Sequence, residues 1–345
     1  MRVVVLGEFR VDRLVPRLRE GGADVVVLAF VELTSFLGPG VEYGALPTAL
    51  SERALLELLG DYGADLVVPN PGCPGQEQFL PVYARAAEGL RAAGKRVPVH
   101  AEAFATLASD KVAFHRIARR RGWPVPRAVV CGGRGGAGGG PRARVSRARQ
   151  RGPQRVSRRA ALRAGRRPPR PGVEEVTCPV LVQQAVEGEE YAVELLSDAS
   201  STIAWPVASL YRLDGDCSPG RRVRVAPAAL PARARAELIA TVVDMVENFG
   251  PWGPWQLDFA VTDDGRLQVI ELNGRLGGVS NMSWISTGLD PHAAHGEAAL
   301  GLPSALRGSA GSRSSCRCAT ARCCRPHRPG RRWCPFPAIR PIVGP

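Results

Sequence analysis

Lysine is almost missing from this chain. Of 345 residues only Lys95 and Lys111 are lysine, so nearly all of the 46 basic residues are arginine. Acidic residues are missing entirely from two stretches, 131–172 and 307–345, which carry 13 and 9 arginines. Those arginines outnumber the formal net charge of +14, so the rest of the chain is net acidic, as an ordinary soluble enzyme can be. The basic stretches would suit arms for nucleic acid or an anionic membrane. Their only Trp, Tyr or Phe residues are Trp333 and Phe336, and no nucleic-acid module is recognisable, which makes nucleic-acid binding a secondary reading. No apolar run approaches ~18 residues, so no membrane span is expected. Five uncharged residues separate Arg2 from Glu8, too few for the apolar core of a secretory leader, and the expected location is the cytoplasm. Five of the nine cysteines, Cys316, Cys318, Cys323, Cys324 and Cys334, crowd the tail without paired C-x-x-C spacing, which points to free thiols rather than zinc.

What is present centres on residues 255–278, WQLDFAVTDDGRLQVIELNGRLGG. Two runs of β-formers flank Asp264 and Gly265, a strong hairpin signal. A two-residue loop there pairs Asp263 with Arg266 and sets Asp258 opposite Glu271. Alternation places Asn273 on the face of Glu271, and Leu257, Phe259, Val261, Ile270 and Leu272 on a core face. Carboxylates opposed across a strand pair, with Cβ atoms about 5 Å apart, repel one another, so something positive is expected between them. Two carboxylates and an amide oxygen are hard ligands of the kind magnesium takes beside phosphates. The plain alternative is a solvated polar face.

The run Glu271, Asn273, Arg275, Gly278 (E-x-N-x-R-x-x-G) resembles the metal-binding core of the ATP-grasp ligases, the superfamily of D-alanine–D-alanine ligase and biotin carboxylase. Two upstream landmarks agree with it: Ser109-Asp110-Lys111 at a helix start and GWPVP at 122–126. The resemblance implies that Asp258, Glu271 and Asn273 hold magnesium, with manganese as an alternative, against the phosphates of ATP. It implies that Lys111 reaches an ATP phosphate as a compact point charge, and that Arg275 contacts the substrate carboxylate or acyl phosphate. The stretch 178–198, CPVLVQQAVEGEEYAVELLSD, reads as two strands joined at Glu187 and Gly188. It resembles the family's hinge, in which Gln183, Gln184 and Val186 would flank adenine and Glu190 would take the ribose hydroxyls. An edge hairpin with a charged turn is the alternative.

Along the chain, strands are expected at 2–7, 24–30, 65–69 and 97–100. Helices are expected at 11–20, where Pro16 would kink or delay the start, and at 51–59 and 77–93. Alternating strands and helices imply a parallel sheet. No G-x-G-x-x-G follows the first strand, so a dinucleotide site is not implied. A helix at 110–121, a strand run at 201–213, a helix at 231–249 with the stripe Leu238, Val242, Met245 and Val246, and a helix at 290–300 complete the pattern. His292 and His295 lie three apart without a third ligand and read as surface or packing residues. The fold class is therefore mixed: a parallel α/β unit at 1–107, an ATP-grasp unit with an antiparallel sheet at 108–306, and a basic tail at 307–345 expected to be disordered.

Residues 131–172 fit neither pattern. GGRGGAGGG at 132–140 lacks the G-K-[ST] ending of a phosphate loop, and no lysine follows Lys111. The family needs a second ATP-binding Lys and a glycine-rich flap there. Arg, Gly, Ala and Pro are what GC-rich codons give out of frame, so this block, and the tail with it, read as a shifted frame. The resemblance implies an ATP-dependent ligase that joins a small-molecule carboxylate to an amine, a thiol or a carrier-bound acceptor, in specialised metabolism. The alternatives are a catalytically impaired ATP-binding homologue and a nucleic-acid-binding protein. A homodimer is left open.

Overall fold

The computed structural model describes residues 1–30, 38, 40–47, 49–72, 76–131, 180–199, 201–212, 222–302 and 332–335. The first unit is a parallel sheet. Strands β1 (Arg2–Leu6), β2 (Asp24–Ala29), β3 (Glu42–Ala45) and β4 (Leu66–Pro69) lie in the order β3-β2-β1-β4. Both faces are covered, as a parallel sheet requires. On one face Val3, Val5, Val25 and Val27 pack with Leu14 and Leu18 of α1 (Val11–Glu20) and Leu300 of the distant α8 (Pro291–Leu300). Pro16 lies within α1 without ending it. On the other face Val4, Leu6, Val26 and Leu28 meet α2 (Glu52–Asp61) and α3 (Leu80–Ala92). Ser51 caps α2 by accepting from the Ala54 N–H at 3.1 Å.

The expected strand at 97–100 is absent. Arg96 alone makes a parallel bridge to Leu66. Pro98 lacks the N–H that would carry the ladder further. The fourth strand is instead β3, a short edge strand that lacks a clear alternating pattern. The segment 97–100 runs directly into α4 (Glu102–Ser109), a helix without a side-chain cap.

α5 (Lys111–Arg121) follows α4 after one residue, and the chain then crosses to β5 (Ala128–Cys131). β5 pairs antiparallel with β6 (Val180–Gln183). β7 (Glu189–Ser197) belongs to another sheet, so β6 and β7 do not form a hairpin. That large sheet has the order β10-β9-β7-β11-β12, built from β9 (Ala208–Arg212), β10 (Arg222–Val225), β11 (Gly253–Val261) and β12 (Leu267–Asn273). β8 (Ser201–Ala204) pairs with β7, and the run expected at 201–213 is thus split into β8 and β9 around Pro206. Within the tail, Arg332–Pro335 forms β13, parallel to β8. α6 (Ala232–Phe249) covers the large sheet with Leu238, Val242, Met245 and Val246, all buried. α7 (Ser280–Thr287) and α8 close the described fold.

One apolar cluster runs from Val4 and Leu28 of the parallel sheet, through Tyr83, Phe104 and Phe114 of the helices, to Trp255, Phe259 and Val269 of the large sheet. Phe104 and Trp255 meet edge to face at 5.4 Å between centroids. Each such fully buried ring contributes roughly 1.5–3 kcal/mol relative to exposure. His292 and His295, both on α8, are also buried, with the Phe9 ring edge-on to His292 at 5.4 Å, so they are packing residues.

Candidate active site

The β11–β12 hairpin differs from expectation near its loop and agrees with it at the carboxylates. The loop has three residues: the Thr262 N–H donates to the Arg266 carbonyl at 3.0 Å, and Gly265 sits at φ +76°. A three-residue hairpin loop ends on such a left-handed residue, which glycine adopts without penalty. Val261 then pairs with Leu267 and Phe259 with Val269. A bulge follows, Ile270 is passed over, and Asp258 faces Glu271. The core face is accordingly Leu257, Phe259, Val261, Leu267, Val269 and Leu272, while Ile270 is only partly buried.

Register assembles the rest of the site face. Across β11 and β7, Ala260 opposes Glu190, Asp258 opposes Ala192 and Gln256 opposes Glu194. Glu190, Asp258, Glu271 and Asn273 therefore share one face of the sheet. Asp258 accepts the Gln256 amide at 2.8 Å and the Asn273 amide at 3.2 Å. Among the described residues, a positive charge meets the carboxylate pair at Glu271, where the Lys111 Nζ lies 2.5 Å from Oε1. Asp110, not Ser109, caps α5, accepting from Val112 N–H at 2.8 Å and Ala113 N–H at 3.0 Å. Ser109 closes α4 instead.

Arg275 is paired with a residue that no sequence pattern indicated. Its Nε lies 2.8 Å from Oε1 of Glu77, on the 3-10 turn Gln76–Phe79 that leads into α3. Burial pushes the Glu77 carboxyl up; Arg275 and Lys111 pull it down and Glu271 pushes it up, so the four groups form one electrostatic cluster.

Glu194 was equally unsuspected. It is fully buried on β7 and accepts from the Gly277 N–H at 3.0 Å and from the Ser280 and Ser283 hydroxyls at 2.5 and 2.6 Å. Burial pushes its carboxyl up against the pull of those hydrogen bonds. It ties the segment after Arg275 to the sheet. His100 holds the same segment from the other side. Its Nδ1 accepts the Trp252 N–H at 3.0 Å, so Nε2 carries the proton toward the Gly274 carbonyl at 3.2 Å. Burial lowers its pKa to about 4. A Cβ at Gly277 would lie 2.0 Å from Gln256 Oε1, so a larger residue there would push aside the amide that donates to Asp258.

Of the expected hinge residues, Gln183 ends β6, Gln184 donates its N–H to the Arg127 carbonyl at 2.8 Å, and Val186 lies in the connection to β7. Gly188 reaches φ +151° beside Val261, where a Cβ would stand 2.1 Å from the carbonyl oxygen. The second lysine and glycine flap sought at 131–172 fall outside the described residues, except Cys131 at the end of β5.

Residues 90–305 match the family model described as carbamoyl-phosphate synthase L chain, ATP binding domain. The chain belongs to this ATP-grasp family. A D-alanine–D-alanine ligase of Geotalea uraniireducens is 30% identical over 106 residues, which is 30% of this chain and 34% of that protein. The match thus spans about a third of that relative's length. The L-amino acid ligase structure from Bacillus licheniformis superposes with a TM-score of 0.63 at 20% identity, covering 89% of this chain and 75% of that one. A biotin carboxylase from Campylobacter jejuni gives 0.59 at 16% identity, over 89% and 72% of the respective chains. At those identities the structural likeness speaks for the ATP-grasp fold. Among the described residues, no three His, Cys, Asp or Glu side chains gather into a metal cluster, and no helix is long and apolar enough to cross a membrane. The donor set here is two carboxylates and one amide, with an ammonium already drawn to it, which fits a hard divalent cation held jointly with phosphate oxygens.

Proposed function

We propose that this ATP-grasp protein is an ADP-forming ligase that phosphorylates a small-molecule carboxylate and passes the acyl group to an amine, a thiol or a carrier-bound acceptor. The observation that carries the reading is the shared face of Asp258, Glu271 and Asn273 with the cations of Lys111 and Arg275 beside it. Magnesium or manganese, when held by Asp258, Glu271 and Asn273, would offset charge on the phosphate oxygens. Lys111, at the first position of a capped helix, places a point charge on the phosphate chain. Arg275 orients the carboxylate and then its acyl phosphate, so that the γ-phosphoryl group moves in line to the carboxylate oxygen and ADP leaves. The acceptor nucleophile then attacks the acyl carbon and phosphate departs. Glu194 and His100 fix the segment that carries Arg275, so its charge is in position before the transition state forms. Gln183, Gln184 and Val186 would flank adenine and Glu190 the ribose. Glu77, on the turn that leads into α3, brings the first unit to this cluster, and an acceptor would approach there.

ADP release tests the reading. It should require magnesium, a carboxylate and an acceptor together, with the ligated product seen by mass spectrometry. Release that ignores both substrates in every combination would overturn it. A second reading, an ATP-binding homologue without ligase activity, is favoured by one observation: no lysine follows Lys111.

A further inference from the structure

We propose that Lys111 is the internal counter-ion of Glu271 and excludes a divalent cation from that carboxylate until a polyphosphate draws the ammonium away. The inference rests on the metal-ligand reading above and extends it to the order of binding.

Lys111 opens α5, so its backbone is fixed by the Asp110 cap while its four-carbon stem is free to pivot. The stem is on the solvent side, 62% exposed, whereas the Glu271 side chain is 16% exposed. The ammonium therefore reaches the carboxylate from the direction in which a ligand would arrive. At 2.5 Å it occupies the position that a cation would need at Oε1. Among the described residues, the cation of Arg275 is engaged by Glu77, and Asp258 accepts from the neutral amides of Gln256 and Asn273. A divalent cation entering alone must displace Lys111 or endure its repulsion. A triphosphate offers Lys111 an alternative set of oxygens and frees the Glu271 oxygen. Nucleotide and metal thereby favour each other's binding, and the coupling is reciprocal.

The test is nucleotide-free Mn2+ binding to the full chain, read as loss of the free-ion EPR signal, with circular dichroism to verify folding. Lys111→Gln should bind Mn2+ about thirty-fold more tightly than the unsubstituted protein, the effect, at the dielectric of water, of removing a unit charge roughly 4 Å from a divalent ion. Lys111→Arg, which keeps the charge, should stay close to the unsubstituted protein, and Glu271→Gln should lose the site in either background. If Lys111→Gln binds Mn2+ no better than the unsubstituted protein while Glu271→Gln still abolishes binding, the counter-ion proposal is overturned and the metal-ligand reading stands. If Glu271→Gln leaves Mn2+ binding unchanged, or no form binds Mn2+ even with ATP, both are overturned.

Discussion

Asp258 lies directly opposite Glu271, while its neighbour Phe259 lies opposite Val269. The residue passed over, Ile270, shifts the pairing by one between the loop and the site. Without that bulge, the longer loop would set Asp258 opposite Ile270, and the acidic residues would no longer meet.

Asp258→Asn and Glu271→Gln should each abolish metal-dependent ATP turnover with little change in Tm. Removing one of two opposed charges relieves repulsion, but Glu271→Gln also forfeits the Lys111 ion pair, which is half in solvent. The two effects oppose each other within about 1 kcal/mol. Turnover assays with calorimetry check this, and full activity in both variants would sink the ligand assignment.

Glu194→Ala should destabilise the fold by about 2–4 kcal/mol, since it strands three donors in a dry site. Ser280→Ala or Ser283→Ala removes one donor each and should cost about 1 kcal/mol. Urea unfolding of the three variants would expose a surface-like role for Glu194 if all costs are near zero.

Acid should weaken the protein through its buried histidines. His100, His292 and His295 have pKa values lowered to about 4, 3 and 3, with burial the leading cause. The unfolded chain takes up these protons below about pH 6.5 and the folded chain does not. The stabilisation is complete above pH 6.5 and is lost as pH falls toward 4 and then 3, by up to about 1.4 kcal/mol per pH unit for each histidine. Glu77 and Glu194, whose carboxyls are pushed up, act in the opposite sense. His295→Leu should therefore flatten the acid limb of a Tm–pH profile. An unchanged limb would show that His295 is not buried as a neutral ring.

The two larger sheets and the central hairpin are legible in the sequence because local rules govern them. Apolar strands alternate with helices, and turn residues frame the carboxylate strands. The register near the loop differs from the expected one because Thr262, not Asp263, closes it. What remained illegible depends on distant partners. Glu77 meets Arg275 across nearly two hundred residues of chain. Glu194 looks like one polar residue in an apolar strand until the Ser280 and Ser283 hydroxyls fold over it. Its only local sign was a carboxylate inside the run YAVELLS. The strand at 97–100 failed for a local reason, the missing N–H of Pro98.

Replacing 131–172 by the product of another reading frame should raise ligase activity by about two orders of magnitude. A preorganised donor to the phosphates is commonly worth about 10²–10³ in rate, and no lysine after Lys111 is there to supply one. Equal ADP release by the two proteins, or the absence of a lysine-bearing apolar strand in either alternative frame, would refute the frame-shift reading.

The shared apolar cluster has a consequence for how the protein comes apart. Phe104 and Leu107 of α4 are buried in the same mass of side chains as Trp255 and Phe259. A cut at 107/108 would open both halves at once, exposing rings that neither half can cover alone. Heat should therefore dissolve the described sheets in one transition, and a fragment ending at residue 107 should be an aggregation-prone remnant rather than a free-standing module.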